Sequence, residues 1–131
     1  MTTQSEYLKE RRSEEWRNEL RKKLKGKERT DIPRIHMPEQ EPLERVKYQD
    51  LEVNVGLPED QAIIEASRCM DCANPTCIEG CPVQINIPEF IKNIERKEFA
   101  LAAKTLKETN ALPAVCGRVC PQEKQCEAQC F

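Results

Sequence analysis

The stretch that decides the fold runs Cys69-Met70-Asp71-Cys72-Ala73-Asn74-Pro75-Thr76-Cys77-Ile78-Glu79-Gly80-Cys81-Pro82, a C-x2-C-x4-C-x3-C-P pattern. A second run follows as Cys116-Gly117-Arg118-Val119-Cys120-Pro121-Gln122-Glu123-Lys124-Gln125-Cys126-Glu127-Ala128-Gln129-Cys130, or C-x3-C-P-x4-C-x3-C. Together they hold all eight cysteines of the chain, and none occurs before Cys69. A C-x2-C turn brings two thiolates to neighbouring corners of one metal centre and lets the amides between them point at the sulfurs. The Cys-Pro step suits the last ligand of a run, because proline has no N–H to leave unpaired and turns the chain away.

Three chemistries compete for such a cysteine set. Disulfides need an oxidising compartment, yet the N-terminus has no apolar signal segment and the only Asn-x-Thr match, Asn74-Pro75-Thr76, is disqualified by its proline. Structural zinc favours paired C-x2-C knuckles or Cys/His mixtures, whereas this chain has one knuckle and a single His36 far upstream, read as a surface or packing residue. The first run is similar to the bacterial ferredoxin run C-x2-C-x2-C-x3-C-P, with two extra residues in its middle spacing. In that two-cluster pattern the fourth cysteine, here Cys81, ligates the other cluster. The pattern favours iron-sulfur.

Composition explains why a metal is needed. The 131 residues suffice for one small domain and an appendage. Charged residues make up 34%, aromatics 5%, and the mean hydropathy is -0.74, so the apolar supply for a core is thin. The net charge of -2 conceals an asymmetry: residues 1–30 carry ten Lys/Arg against six Asp/Glu, while 31–131 carry eleven against seventeen. Because the basic arm alternates its signs (Lys9-Glu10-Arg11-Arg12-Ser13-Glu14-Glu15), it reads as a solvated helix with i,i+4 pairs and not as a nucleic-acid stripe. No apolar run approaches the ~20 residues that span a bilayer, which predicts a cytoplasmic protein with no membrane partner.

Working outward, residues 5–25 lack Pro and Gly and space Leu8, Trp16, Leu20 and Leu24 by fours, predicting one long helix that Gly26 ends. That stripe is too apolar for a lone solvated helix, so the arm is expected to dock on a partner or a second copy. Residues 31–57, with Pro33, Pro38 and Pro42, read as an extended segment whose one β-like stretch is Tyr48 to Val55. Pro58, Glu59 and Asp60 open a short helix bearing Ala62, Ile63, Ala66 and Cys69. Pro88 opens another with Phe90, Ile91 and Ile94, and residues 97–109 continue with Phe99, Ala102, Ala103 and Leu106 before Asn110. Between the cysteine runs this makes a helical hairpin with apolar, chemically silent faces. The expected units are an amphipathic helix at 1–30, an extended segment at 31–57 and an all-α cysteine domain at 58–131.

These residues resemble the N-terminal domain of the NADPH-dependent glutamate synthase small subunit. The wider group takes in the NADH-dependent ferredoxin:NADP oxidoreductase large subunit and the N-terminal domain of dihydropyrimidine dehydrogenase. The resemblance runs from Met37-Pro38-Glu39-Gln40-Glu41-Pro42 through Glu65-Ala66-Ser67-Arg68-Cys69, Gly80-Cys81-Pro82-Val83 and Ile87-Pro88-Glu89-Phe90-Ile91 to Leu112-Pro113-Ala114-Val115-Cys116-Gly117-Arg118-Val119-Cys120-Pro121-Gln122-Glu123 and Cys130. It implies an α-helical ferredoxin fold with two [4Fe-4S] clusters carrying electrons between a flavin and a partner. It also implies that Cys69, Cys72 and Cys77 share one cluster with Cys130, while Cys81, Cys120 and Cys126 hold the other. Cys116 is numerically the eighth ligand, but some members complete the second cluster with a Glu or Gln beyond the last cysteine, so its role stays open between ligand and spare thiol.

The expected function is electron transfer from NADPH through FAD and the clusters to a glutamate synthase large subunit or equivalent. With four glycines and no G-x-G-x-x-G, the chain offers no FAD or NADPH site of its own, and those cofactors are assigned to downstream domains of which this chain would be a fragment. Nor is there a catalytic triad or phosphate loop, so no catalytic residue is assigned. A pyrimidine-reducing or ferredoxin:NADP-type enzyme is the runner-up, and a structural zinc module is the rival from another class. Arg118 is read either as a donor that favours the reduced cluster or as a plain surface ion pair.

Overall fold

A computed structural model describes residues 3–130, so positions 1, 2 and 131 of the predicted units lie outside the described residues. The described chain is all-α: helices α1 (Gln4–Ser13), α2 (Glu15–Lys23), α3 (Gly26–Thr30), α4 (Pro42–Arg45), α5 (Glu59–Ser67), α6 (Thr76–Glu79), α7 (Ile87–Glu95), α8 (Phe99–Lys107) and α9 (Pro113–Val119), then two 3₁₀ turns at Gln122–Lys124 and Glu127–Gln129. No helix among the described residues is long and apolar enough to cross a membrane.

The long N-terminal helix is broken. α1 starts at a capping box in which Thr3 accepts from the Glu6 amide and the Glu6 carboxylate accepts from the Thr3 amide. It stops where Glu14 turns extended (ψ 138), after Ser13 has bonded back to the Glu10 carbonyl at 2.7 Å, a local competitor of helix hydrogen bonding. Nor does Gly26 end a helix. Leu24 is the extended cap of α2, and Gly26 begins α3. In a straight helix Arg11 and Arg17 would be rotated by about 240° from one another. The break lets both reach Glu89 on α7.

The arm is therefore solvated on one side only. Arg17 and Arg29 are 2% and 1% exposed, and Trp16 turns inward to lie under the Arg96 guanidinium, 3.7 Å from its ring centroid. Leu8, Trp16, Leu20 and Leu24 of the apolar stripe are half-buried within the chain itself. The i,i+4 alternation misled because charge sign says nothing about which guanidinium has a buried carboxylate waiting elsewhere in sequence.

Residues 31–57 are extended as expected, save for α4. Their β-like stretch folds back in an isolated antiparallel bridge, Glu39 to Asn54, with Gln40 N–H donating to Val53 O at 2.8 Å and Val55 N–H to Pro38 O at 3.0 Å. One bridge is all that three prolines allow.

α7 is central, packed on α5 and on α8. Pro88 sits in its first turn, where the missing N–H costs nothing. It ends at Lys97, whose left-handed φ of 67 lets the next amides return to Ile94 O and Asn93 O. Its most buried positions are Pro88, Glu89, Lys92 and Asn93, while the expected core residues Phe90, Ile91 and Ile94 are half-buried. On α8 the buried pair is Ala102 and Thr105, with Phe99 and Ala103 exposed. The apolar core among the described residues is small: Ala66, Ile78, Ile85 and Ala102. Charge, not hydrocarbon, fills the centre.

Candidate metal centre

The cysteines lie on short helices or in the turns that join them. Cys69 leaves α5, its N–H donating to Ala66 O at 3.2 Å. The chain then reverses at Asp71, whose φ of 53 is left-handed, a conformation that aspartate tolerates better than most residues. That reversal aims the Asp71 amide at the Cys69 sulfur. Cys77 rides on α6, and Cys81 follows Gly80 with its N–H on Ile78 O at 3.1 Å. α9 carries Cys116 and is capped by Cys120, whose N–H donates to Cys116 O at 2.9 Å. Despite Gly117 this turn is α-helical, so the two thiols share a face. Cys126 and Cys130 bracket the last 3₁₀ turn.

All eight cysteines are free thiols; seven are half-buried and Cys130 is exposed. The second run folds back onto the first. Thr76 Oγ1 donates to Gln129 O at 2.6 Å, and Gly80 lies so close to the Gln125 backbone that a Cβ there would sit 2.7 Å from Gln125 O. Glycine is required here by close approach, and the sequence signal was its place one residue before Cys81.

The thiols act on one another across the two runs, Cys126 on both Cys77 and Cys120. Burial pushes the Cys77 thiol up to about 12, with the charges of Cys69, Cys130, Cys72 and Cys126 adding to it. Cys120 is raised by desolvation and then by Cys116, Cys81 and Cys126; Cys126 is raised by burial, with Cys81 among its neighbours. Such thiols resist becoming thiolates together, and a cationic metal group is what relieves that repulsion. The all-sulfur donor set therefore fits an iron-sulfur centre. Among the described residues no three His, Cys, Asp or Glu side chains converge closely enough to hold a single ion.

Cys116 differs from the rest. Its thiol donates to Asn110 Oδ1 at 3.7 Å, and the Leu112 N–H at 2.9 Å fixes that oxygen toward it. Asn110 is thus more than a helix stop: it is 6% exposed and caps the turn into α9. His36 is exposed, as expected. Arg118 pairs with Glu52 at 2.6 Å with both side chains over 60% exposed, which is the surface reading of that residue.

Sequence reasoning missed the ionic layer beneath the first run. Asp71, 0% exposed, receives Arg17 and Arg21 on its carboxylate, and Arg12 Nε donates to its carbonyl at 2.9 Å. Lys92, also 0% exposed, donates to the Cys69 carbonyl and to Glu95, which Arg29 meets at 3.0 Å. Glu89 takes Arg11 and the Asn86 amide. A weak signal was present: an aspartate inside the C-x2-C turn, and a Glu89-Lys92-Asn93-Arg96 row at helical spacing on α7.

The model of the dihydropyrimidine dehydrogenase domain II, 4Fe-4S cluster family matches residues 45–131. The chain is 40% identical over 100 residues to the glutamate synthase [NADPH] small chain of Escherichia coli strain K12, covering 76% of this chain and 21% of that one. It is 49% identical over 69 residues to the NAD-dependent dihydropyrimidine dehydrogenase subunit PreT of the same organism, covering 53% and 17%. With the glutamate synthase [NADPH] small chain of Halomonas elongata the identity is 38% over 93 residues, covering 71% and 20%. The chain spans about one fifth of the length of these curated relatives.

Proposed function

From the premise that the chain belongs to the dihydropyrimidine dehydrogenase domain II, 4Fe-4S cluster family, we propose that it holds two [4Fe-4S] clusters and passes electrons between a flavin and a synthase partner. Cys69, Cys72, Cys77 and Cys130 hold the first cluster, and Cys81, Cys120 and Cys126 supply three donors to the second. Each cluster, when bound, supplies one-electron chemistry. The chain's own residues place the sulfurs, aim amides at them and exclude water.

One observation supports this reading: the second run folds back onto the first, with Thr76 Oγ1, beside Cys77, donating to the carbonyl of Gln129, beside Cys130, at 2.6 Å, and Gly80, beside Cys81, lying against the backbone of Gln125, beside Cys126. The crossing fastens the two ends of the domain together, which offsets its small apolar core. Cys116 is left out of this set, its thiol being turned to Asn110 Oδ1 at 3.7 Å.

FAD and NADPH belong to further domains of the complete protein, and its partner is a glutamate synthase large subunit. The longer match to the glutamate synthase small chain favours this over a pyrimidine-reducing enzyme, the second reading, which rests on the higher identity to PreT over a shorter stretch.

Anaerobic reconstitution tests the assignment. The wild-type chain should take up iron and sulfide with broad absorption near ~400 nm, about four irons per cluster. Cys77→Ser and Cys130→Ser should each lose the same electron paramagnetic resonance signal, and Cys81→Ser and Cys126→Ser the other. Colourless protein with stoichiometric zinc, or Cys130→Ser grouping with Cys126→Ser, overturns it.

A further inference from the structure

We propose that the N-terminal arm and Lys92 form a cationic cover over the first cysteine run, which holds the cluster bound there at a higher reduction potential than the cluster on Cys81, Cys120 and Cys126. This rests on the ligand assignment above.

The cover is built from buried Lys92, Arg17 and Arg29 and half-buried Arg11, Arg12 and Arg21. Lys92, fully out of water, places its ammonium on the carbonyl of Cys69, the first ligand. Arg12, Arg17 and Arg21 converge on Asp71, the residue between Cys69 and Cys72: one on its carbonyl and two on its carboxylate. Arg11 and Arg29 complete the layer on Glu89 and Glu95. Six cations thus face three buried carboxylates, Asp71, Glu89 and Glu95, and positive charge is in excess beneath this run. One Arg17 nitrogen, Nη1, is buried without a hydrogen-bond partner, 3.9 Å from Glu89.

Around the second set the balance is different. Arg118 and Arg34 are over 60% exposed and each is pinned to a glutamate, Glu52 and Glu127. Glu127 directly follows Cys126, which puts a negative charge beside this ligand.

Reduction adds one negative charge to a cluster, so nearby fixed positive charge favours the reduced form. The effect is largest where side chains are desolvated and weak where water and salt screen them. Buried Lys92, Arg17 and Arg29 meet the first condition, with half-buried Arg12 and Arg21 beside them; exposed Arg118 and Arg34 meet the second. The arm thereby makes the first cluster the preferred resting place of an electron shared between the two.

The experiment is a redox titration with viologen mediators, monitored by electron paramagnetic resonance, on the reconstituted chain. Cys77→Ser identifies the first cluster's signal by its loss. Lys92→Gln keeps a donor for the Cys69 carbonyl while removing the charge; Arg12→Gln does the same at Asp71, and Arg12→Lys restores it. In wild type the first cluster should be reduced at the higher potential. Lys92→Gln and Arg12→Gln should move that signal to lower potential and leave the other in place, and Arg12→Lys should recover it. Should Lys92→Gln fail to fold, the Arg12 pair decides. Unchanged midpoints, equal shifts of both signals, or no recovery in Arg12→Lys overturns the inference. If wild type binds no iron, the ligand assignment fails instead, and iron analysis separates the two failures.

Discussion

Arg17 and Asp71, 54 residues apart in sequence, form an ion pair with both side chains out of water, at 2% and 0% exposure. Asp71 is the carboxylate that bonds Arg17, since Glu89, 3.9 Å from Arg17 Nη1, is already engaged by Arg11. Removing its charge strands Arg17 in the interior. Asp71→Asn should cost about 3–5 kcal/mol, the usual penalty for breaking a buried pair. Urea unfolding of the reconstituted chain would show this as a lower midpoint, and an unchanged midpoint would place the pair in water in solution.

Gly80 is the point where the two cysteine runs touch through backbone. A methyl group there meets Gln125 O at 2.7 Å and Gln129 Cγ at 2.8 Å, and the carbonyl cannot swing away as a side chain could. Gly80→Ala should destabilise the domain by about 1–3 kcal/mol, as overpacking does. It should also lower iron occupancy, because Cys81 follows directly and Cys126 and Cys130 flank the displaced segment. Full iron loading with wild-type stability would show that the approach relaxes freely.

Cys116 is predicted to be dispensable for cluster binding. Cys116→Ala removes a thiol that donates to Asn110 Oδ1 and leaves Cys81, Cys120 and Cys126 untouched. In a chain extended beyond residue 131 both paramagnetic signals should persist. Loss of the second signal would return Cys116 to the ligand set.

Lys97 ends α7 with a φ of 67, a conformation that costs a residue with a Cβ about 1–2 kcal/mol. Its side chain is 67% exposed and reaches Glu59 at 4.0 Å, a contact of little worth. Lys97→Gly should therefore raise stability by up to about 1 kcal/mol, part of the relief being offset by the entropy glycine adds to the unfolded chain. Thermal melting in parallel with wild type measures it; a lower melting temperature would mean that the Glu59 contact outweighs the strain.

What the sequence alone determined follows from local chemistry. The prolines at 58 and 88 mark helix starts because ring closure fixes φ and removes an amide within the chain itself, and α5 and α7 begin there; Pro113, for which no helix start was expected, opens α9 in the same way. The thiol chemistry was legible for the same reason: eight cysteines at short spacings in two runs point to a metal centre. The all-α character also rested on local periodicity, which α5, α7 and α8 carry strongly enough to survive folding.

Only the tertiary structure decided where the charges went. Arg12, Arg17 and Arg21 have the spacing of a solvated helix, and nothing within the arm distinguishes them from Lys22 or Lys23. Arg17 is buried, and Arg12 and Arg21 half-buried, because Asp71, brought up by the reversal between Cys69 and Cys72, offers its carbonyl and a desolvated carboxylate some 50 residues away in sequence. The break at Glu14 and the polar buried face of α7 have the same origin. A helix face is chosen by what it packs against, and here its neighbour was a layer of ions whose partners lie far apart along the chain.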